Sequence, residues 1–259
     1  MTSFRTKTRN IALALTFIGV AACGGGGGGG GSSSPPGSSA LAGTWVGSEM
    51  LLESGLPVLE LQVVVNSKNK ITSIRIDGVD QGGGGSITPH PSEKNIYDVL
   101  LDDGTEAGFF LDPTGKHAVF VDEDHSFGVL QKGASGMAIP DLNKLRGQSY
   151  EGTSCQLTDN FEIYQLDRSA QAGVLQDGSF QGTHFGLSYK SIDAGGQLEN
   201  QGSCFIGYWE ASDSSVGAAI VIPSQDHRMF GIWAIEWDSA TGNYSFDFSD
   251  NAYSAMARK

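Results

Sequence analysis

The sequence predicts an all-β chain built as two tandem antiparallel β-barrels or β-sandwiches of about 100 residues each. Three observations lead there. Apolar residues alternate over short runs bounded by glycine, asparagine, aspartate and proline; no stretch sustains a helical period; and motifs of the first half return in order in the second. The same pattern allows one alternative, a composite barrel that draws strands from both halves.

The strands follow in order. Leu59 to Val65 and Ile71 to Ile76 read as a pair around a turn at Asn66 to Lys70, and Asp77-Gly78 supplies hairpin-turn chemistry. Tyr97 to Leu101, Ala107 to Leu111, His117 to Val121 and Phe127 to Leu130 continue the series, separated by Asp-Asp-Gly, Asp-Pro-Thr-Gly and acidic turns. Ile139 to Leu145 is the best helix candidate, and its length makes it a connector.

The halves echo each other at five places. Leu41 to Gly47 is answered by Leu145 to Gly152, Asp77-Gly78 by Asp177-Gly178, and Gly108-Phe109-Phe110 by Gly207-Tyr208-Trp209. Ala118 to Val121 is answered by Ala219 to Ile222, and Asp124 to Val129 by Asp226 to Ile232. A period near 100 residues suits a small domain and is too long for a solenoid unit. The expected organisation is a signal peptide over 1–22, a lipidated cysteine and flexible tether over 23–40, a first β-domain over 41–135, a connector over 136–145 and a second β-domain over 146–259. Each half is expected to close its own core. Gly43-Thr44-Trp45-Val46-Gly47 resembles the first strand of lipocalin-like and avidin-like barrels, in which a glycine and a tryptophan seat the strand at the base.

The N-terminus has the parts of a secretory signal: Arg5, Lys7 and Arg9, then an apolar run from Ile11 to Val20. That run is shorter than the ~20 residues a membrane-spanning helix needs. Val20-Ala21-Ala22-Cys23 resembles the lipobox of bacterial lipoproteins, whose cysteine carries the lipid and begins the mature chain. The resemblance implies acylation at Cys23 (palmitate among the chains), a membrane partner through that anchor and, with Gly24 rather than aspartate next, the outer membrane, facing the periplasm or the cell surface. The glycines, serines and prolines from Gly24 to Ala40 cannot bury apolar surface. As a flexible tether they reach on the order of 20–25 Å. The layout also resembles surface lipoproteins with a glycine-rich anchor and tandem β-domains.

The chain has a formal charge of −13, and its first 22 residues hold three basic and no acidic side chains, so the remainder is more acidic still. Such a surface repels phosphate backbones and anionic head groups, which argues against nucleic acid as a partner. With Cys23 taken by lipid, Cys155 and Cys204 form an even pair in an oxidising compartment, and a disulfide between them is expected. It would close a loop of roughly 50 residues, stabilising by about 4 kcal/mol.

Catalytic signals are weak. The five histidines are scattered, no Gly-x-Ser-x-Gly elbow occurs, and 29 acidic residues always offer carboxylate pairs. Asp122-Glu123-Asp124-His125 reads as a solvated turn, so no metal site, cofactor or catalytic residue is assigned. Tyr208, Trp209, Trp233 and Trp237 are the candidate ligand-binding aromatics, as an apolar pocket or a sugar-stacking platform, with barrel packing as the plainer reading. The expected role is therefore a non-catalytic envelope protein that binds a ligand or another envelope protein; an envelope hydrolase and a structural spacer are the alternatives.

Overall fold

The computed structural model describes residues 40–51, 58–123, 126–158, 161–192, 198–201, 204–238, 240, 242–244 and 251–259. Cys23, most of the tether, and Asp124 and His125 lie outside the described residues.

In the first half the strands are β1 (Gly43–Leu51), β2 (Val58–Val65), β3 (Lys70–Ile76), β4 (Val79–Asp80) and β5 (Gly85–Pro89). They continue with β6 (Ile96–Leu101), β7 (Glu106–Leu111), β8 (His117–Asp122) and β9 (Ser126–Lys132). The sheet order β2-β1-β9-β8-β7-β6-β5-β3 is closed by pairing of β2 with β3, an eight-stranded antiparallel barrel with β4 as a hairpin appendage. Asp77 and Gly78 both have positive φ, 48° and 76°, which is the twist that joins β3 to β4 tightly.

The connector holds a single turn of helix, α1 (Leu142–Leu145), whose cap residue Asp141 accepts from the Asn143 N–H. The second half runs β10 (Gln148–Leu157), β11 (Ile163–Val174), β12 (Phe180–His184), β13 (Leu187–Ser191) and β14 (Glu199–Asn200). It ends with β15 (Phe205–Ala211), β16 (Val216–Pro223), β17 (Met229–Asp238), β18 (Asn243–Tyr244) and β19 (Asn251–Arg258). The order β13-β12-β11-β10-β19-β17-β16-β15 closes through β13 and β15, again eight antiparallel strands, with β14 and β18 outside the ring. Two barrels in tandem are the fold, and the composite barrel is excluded because each ring closes within its own half.

The opening motif is equivalent in the two rings. A Cβ on Gly47 would lie 1.8 Å from the Val129 carbonyl oxygen of β9, and one on Gly152 1.8 Å from the Ala255 oxygen of β19. Only glycine lets the first strand approach the last that closely. Trp45 is buried edge-on to Phe109 at 5.5 Å, and its indole N–H donates to the Leu41 carbonyl. Tyr150 takes the same place in the second ring, 4.2 Å from Phe230. The other four matches pair strands of different rank. Gly108-Phe109-Phe110 lies on the sixth ring strand and Gly207-Tyr208-Trp209 on the fifth, and the two later matches are displaced by the same one strand. Asp77-Gly78 follows the third strand, Asp177-Gly178 the second.

Among the described residues, three apolar clusters hold the body together. Trp45, Ile71, Ile87, Phe109, Phe120 and Leu130 fill the first barrel. Tyr150, Val174, Phe180, Phe205, Phe230 and Met256 fill the second. The third cluster lies between them: Met50, Phe110, Val119, Phe127 and Val129 from the first barrel meet Ile220, Ile222, Met229, Trp233 and Tyr253 from the second. Strands β8, β9, β16 and β17 therefore bury both faces, one inward and one against the other barrel. Phe127 and Val129 pack over Gly231 of β17, where a Cβ would stand 2.7 Å from Phe127 Cζ and 2.9 Å from Val129 Cγ2.

The expected disulfide is a correction: Cys155 and Cys204 are free, buried thiols. Both belong to the shared cluster, but three ring strands separate β10 from β15 in either direction. Opposite points of a ring whose neighbours stand about 4.8 Å apart exceed the ~7 Å that a bridge can span between Cα atoms.

Candidate functional site

The β7–β8 turn of the first barrel and the β16–β17 turn of the second meet in a polar network between the barrels. In the β7–β8 turn, the Asp112 carboxylate accepts from the Lys116 and His117 N–H groups at 2.9 and 3.0 Å and from the Thr114 hydroxyl at 2.6 Å. The His117 ring is buried, with Nδ1 3.2 Å from Asp112 Oδ2 and Nε2 3.0 Å from Asp226 Oδ2. Asp226 belongs to the β16–β17 turn of the other barrel, so one imidazole joins the two rings.

Electrostatics follow from that placement. Burial alone would push the His117 pKa down, but Asp112 and Asp226 override it and raise it above the ordinary 6.5. Burial would likewise raise both carboxylates. The donors around Asp112, His117 foremost, hold it far below the usual range, and the Arg228 N–H, the Ser224 hydroxyl and His117 lower Asp226.

The next residue behaves in the opposite way. His227 is buried with positive φ (58°); its Nδ1 donates to the Gln225 carbonyl, and its Nε2 accepts from the Asp141 N–H of the connector. Burial first, then Lys144, lowers its pKa, so the ring is neutral. The connector is tied to the same turn through Ser135, which donates its N–H to Gln225 Oε1 and accepts from Gln225 Nε2. At a separate point of the interface, Arg168 of β11 pairs with Glu93 and donates to the Lys94 carbonyl of the first barrel.

The four candidate aromatics do not share one surface. Trp233 is fully buried in the shared cluster, stacked on Tyr253 at 6.2 Å, and Trp209 points into the second barrel. Tyr208 (49 % exposed) and Trp237 (37 % exposed) remain on the outer face. Tyr208 pairs with Ala218, which pairs with Ile235, and Trp237 follows Ile235 by two residues, so the two rings flank a floor of small and aliphatic side chains.

Among the described residues, the interiors of both barrels are filled by their own side chains. A void inside the second barrel, between Ala172, Val174, Phe180, Ala219, Val221 and Phe230, is almost wholly apolar and about the size of a water molecule. Tyr150 Oη and Trp209 Nε1 are buried within this barrel and have no hydrogen-bond partner among the described residues. Burial pushes the Tyr150 pKa up to about 12. Among the described residues, no group of three or more histidine, cysteine, aspartate or glutamate side chains has metal-binding geometry.

Sequence reasoning missed the His117–Asp226 pair because its members are 109 residues apart and lie in unrelated turns. The available signal was the unusual length of the apolar runs beside both turns, Ala118 to Val121 and Ala218 to Ile222.

No family model matches the chain, and no curated protein matches it. Among solved structures, it is similar to a point mutant of the vaccine antigen transferrin binding protein B from Haemophilus parasuis Hp5, at 10 % identity and a TM-score of 0.44. The match covers 82 % of this chain and 44 % of that one, so this chain spans less than half of that protein's length.

Proposed function

We propose that the chain is a lipid-anchored envelope protein whose two-barrel body binds a partner through its outer surface, without catalysis. The observation that supports this reading is the filling of both barrels. With interiors occupied by their own side chains, recognition falls to the outer faces and the loops. The lipobox-like Val20-Ala21-Ala22-Cys23 supports attachment at Cys23, and the tether supports display at a distance from the bilayer. Tyr208 and Trp237 are the side chains on which contact with a partner is expected to centre, since exposed aromatics beside small residues make strong anchors.

The test places a photo-crosslinking residue at Tyr208 or Trp237, with Leu175 as an exposed control, in intact cells. Crosslinks to one envelope or extracellular protein from the first two positions, absent at Leu175, support the reading. A small molecule retained stoichiometrically inside a barrel in native mass spectrometry would replace it with a calyx binder. No crosslink at either position, together with unchanged envelope integrity on deletion, would also overturn it.

A further inference from the structure

His117 is held in a way that only a protonated ring satisfies. Both ring nitrogens face carboxylate oxygens, Nδ1 at 3.2 Å from Asp112 and Nε2 at 3.0 Å from Asp226. A carboxylate only accepts, so both contacts are hydrogen bonds when both nitrogens carry protons, that is, in the imidazolium. A neutral ring leaves one lone pair against a carboxylate. The loss falls on a particular side. Asp112 is buried and fixed by three further donors within its own turn, so it keeps the remaining N–H. The lone pair then faces Asp226, the contact between barrels.

Among the described residues, the surroundings supply no replacement charge. Thr114 and Lys116 come from the same turn, and Gln131 pairs with His117 on β9 while its amide oxygen accepts from the Asp226 N–H. Lys132, the next residue of β9, directs its ammonium to the Ala40 carbonyl. From the other barrel come Ser224, Gln225, Asp226, His227 and Arg228; from the connector come Asp141 and Lys144, both beside His227. Lys116 and Arg228 are exposed. His227 has its Nε2 lone pair occupied by the Asp141 N–H and does not substitute as a donor.

We propose that His117 and Asp226 form a proton-dependent latch between the two barrels, closed when the imidazole is charged and released when it loses its proton. The latch is made while both carboxylates are ionised and His117 is protonated. Both carboxylates are held below their ordinary value of about 4, so the latch operates from below about pH 4 up to the folded-state pKa of His117. Asp226 closes it from the rim of the interface, whose centre is the apolar cluster around Phe127 and Trp233. Release loosens the relation between the barrels without opening either ring.

The test has two readings on the full chain. Histidine NMR follows each ring: His117 is expected to titrate above 6.5 and to fall towards 6.5 in Asp226→Asn, while His227 titrates below it. The second reading uses the buried thiols Cys155 and Cys204 as probes of opening at the interface. Wild type and Asp226→Asn are alkylated side by side at each pH, so the intrinsic pH dependence of thiol reactivity cancels. The variant is expected to react about tenfold faster at pH 6, as a latch of about 1.4 kcal/mol gives, and at nearly the wild-type rate at pH 9. A His117 pKa at or below 6.5 in wild type, or a rate ratio that does not change with pH, would overturn the latch. The wild-type titration stands even if the variant fails to fold.

Discussion

Replacing Gly231 by alanine asks whether the two barrels are joined by fitted packing or merely lie side by side. Gly231 is on the outer face of β17, where the Phe127 and Val129 side chains of the first barrel close over it. The added methyl would stand 2.7 Å from Phe127 Cζ and 2.9 Å from Val129 Cγ2, well inside contact distance. Its φ is not in the left-handed region, so the backbone accepts alanine, and the cost is steric and confined to the interface. Overpacking of this kind costs about 1–3 kcal/mol. At about 2–4 °C per kcal/mol for a body of this size, Tm should fall by roughly 2–12 °C in calorimetry. Phe127→Ala alone leaves a hole where a fully buried ring stood and should cost about 3–5 kcal/mol. Combined, the two changes should cost less than their sum, because the alanine methyl enters the space that the ring vacates. A coupling of about 0.5–3 kcal/mol is expected. Strict additivity in the double mutant would refute the reasoning, since it would mean that Phe127 and Gly231 do not meet.

Three further outcomes follow from single observations. Gly47→Ala and Gly152→Ala each drive a methyl to 1.8 Å from a carbonyl of the neighbouring strand, and neither variant should show a cooperative thermal transition. Gly173→Ala, whose nearest neighbour is 3.7 Å away, should be tolerated. Cys155 and Cys204 should each be alkylated by iodoacetamide in denaturant without any reductant, because no bridge joins them; in the folded chain burial shields both thiols and raises their pKa values, so the denaturant is needed. A cross-linked peptide pair would contradict this. His227, whose pKa is lowered on folding, contributes stability that is present above 6.5 and is lost as pH falls through its folded-state value. The Tm of the wild type should therefore drop more steeply below pH 6.5 than that of His227→Gln, and parallel profiles would remove His227 as the source.

Much of the fold could be read from the chain because strands announce themselves locally. Alternation in Leu59 to Val65, the Asp77-Gly78 turn and the paired glycines Gly47 and Gly152 are properties of short windows. The repeat was legible only at its opening. The later matches slid by one strand because all antiparallel strands of a barrel offer the same apolar pattern, and sequence similarity alone does not count them. The shared core was less visible, although its signature was present. Ala118-Val119-Phe120-Val121 and Ala218-Ala219-Ile220-Val221-Ile222 are unbroken apolar runs, and in an antiparallel strand an unbroken run means that both faces are covered. The same oversight misplaced Trp233, which lies on the outer face of its barrel but beneath the other one. The disulfide failed for a topological reason. Two cysteines in one half can stand at opposite points of a ring, and cysteine parity does not register that.

The shared core joins the two closed barrels into one cooperative body. We propose this in place of two autonomous domains, since separation would expose Phe127, Met229, Trp233 and Tyr253 together, a loss comparable with the about 5–15 kcal/mol that holds a typical protein folded. The most direct measurement inserts a protease site beside Ile139, which is 83 % exposed in the connector, and cleaves the folded chain there. The two pieces should remain one particle in size-exclusion chromatography and unfold in a single transition. Two separately eluting, independently folded barrels would contradict it.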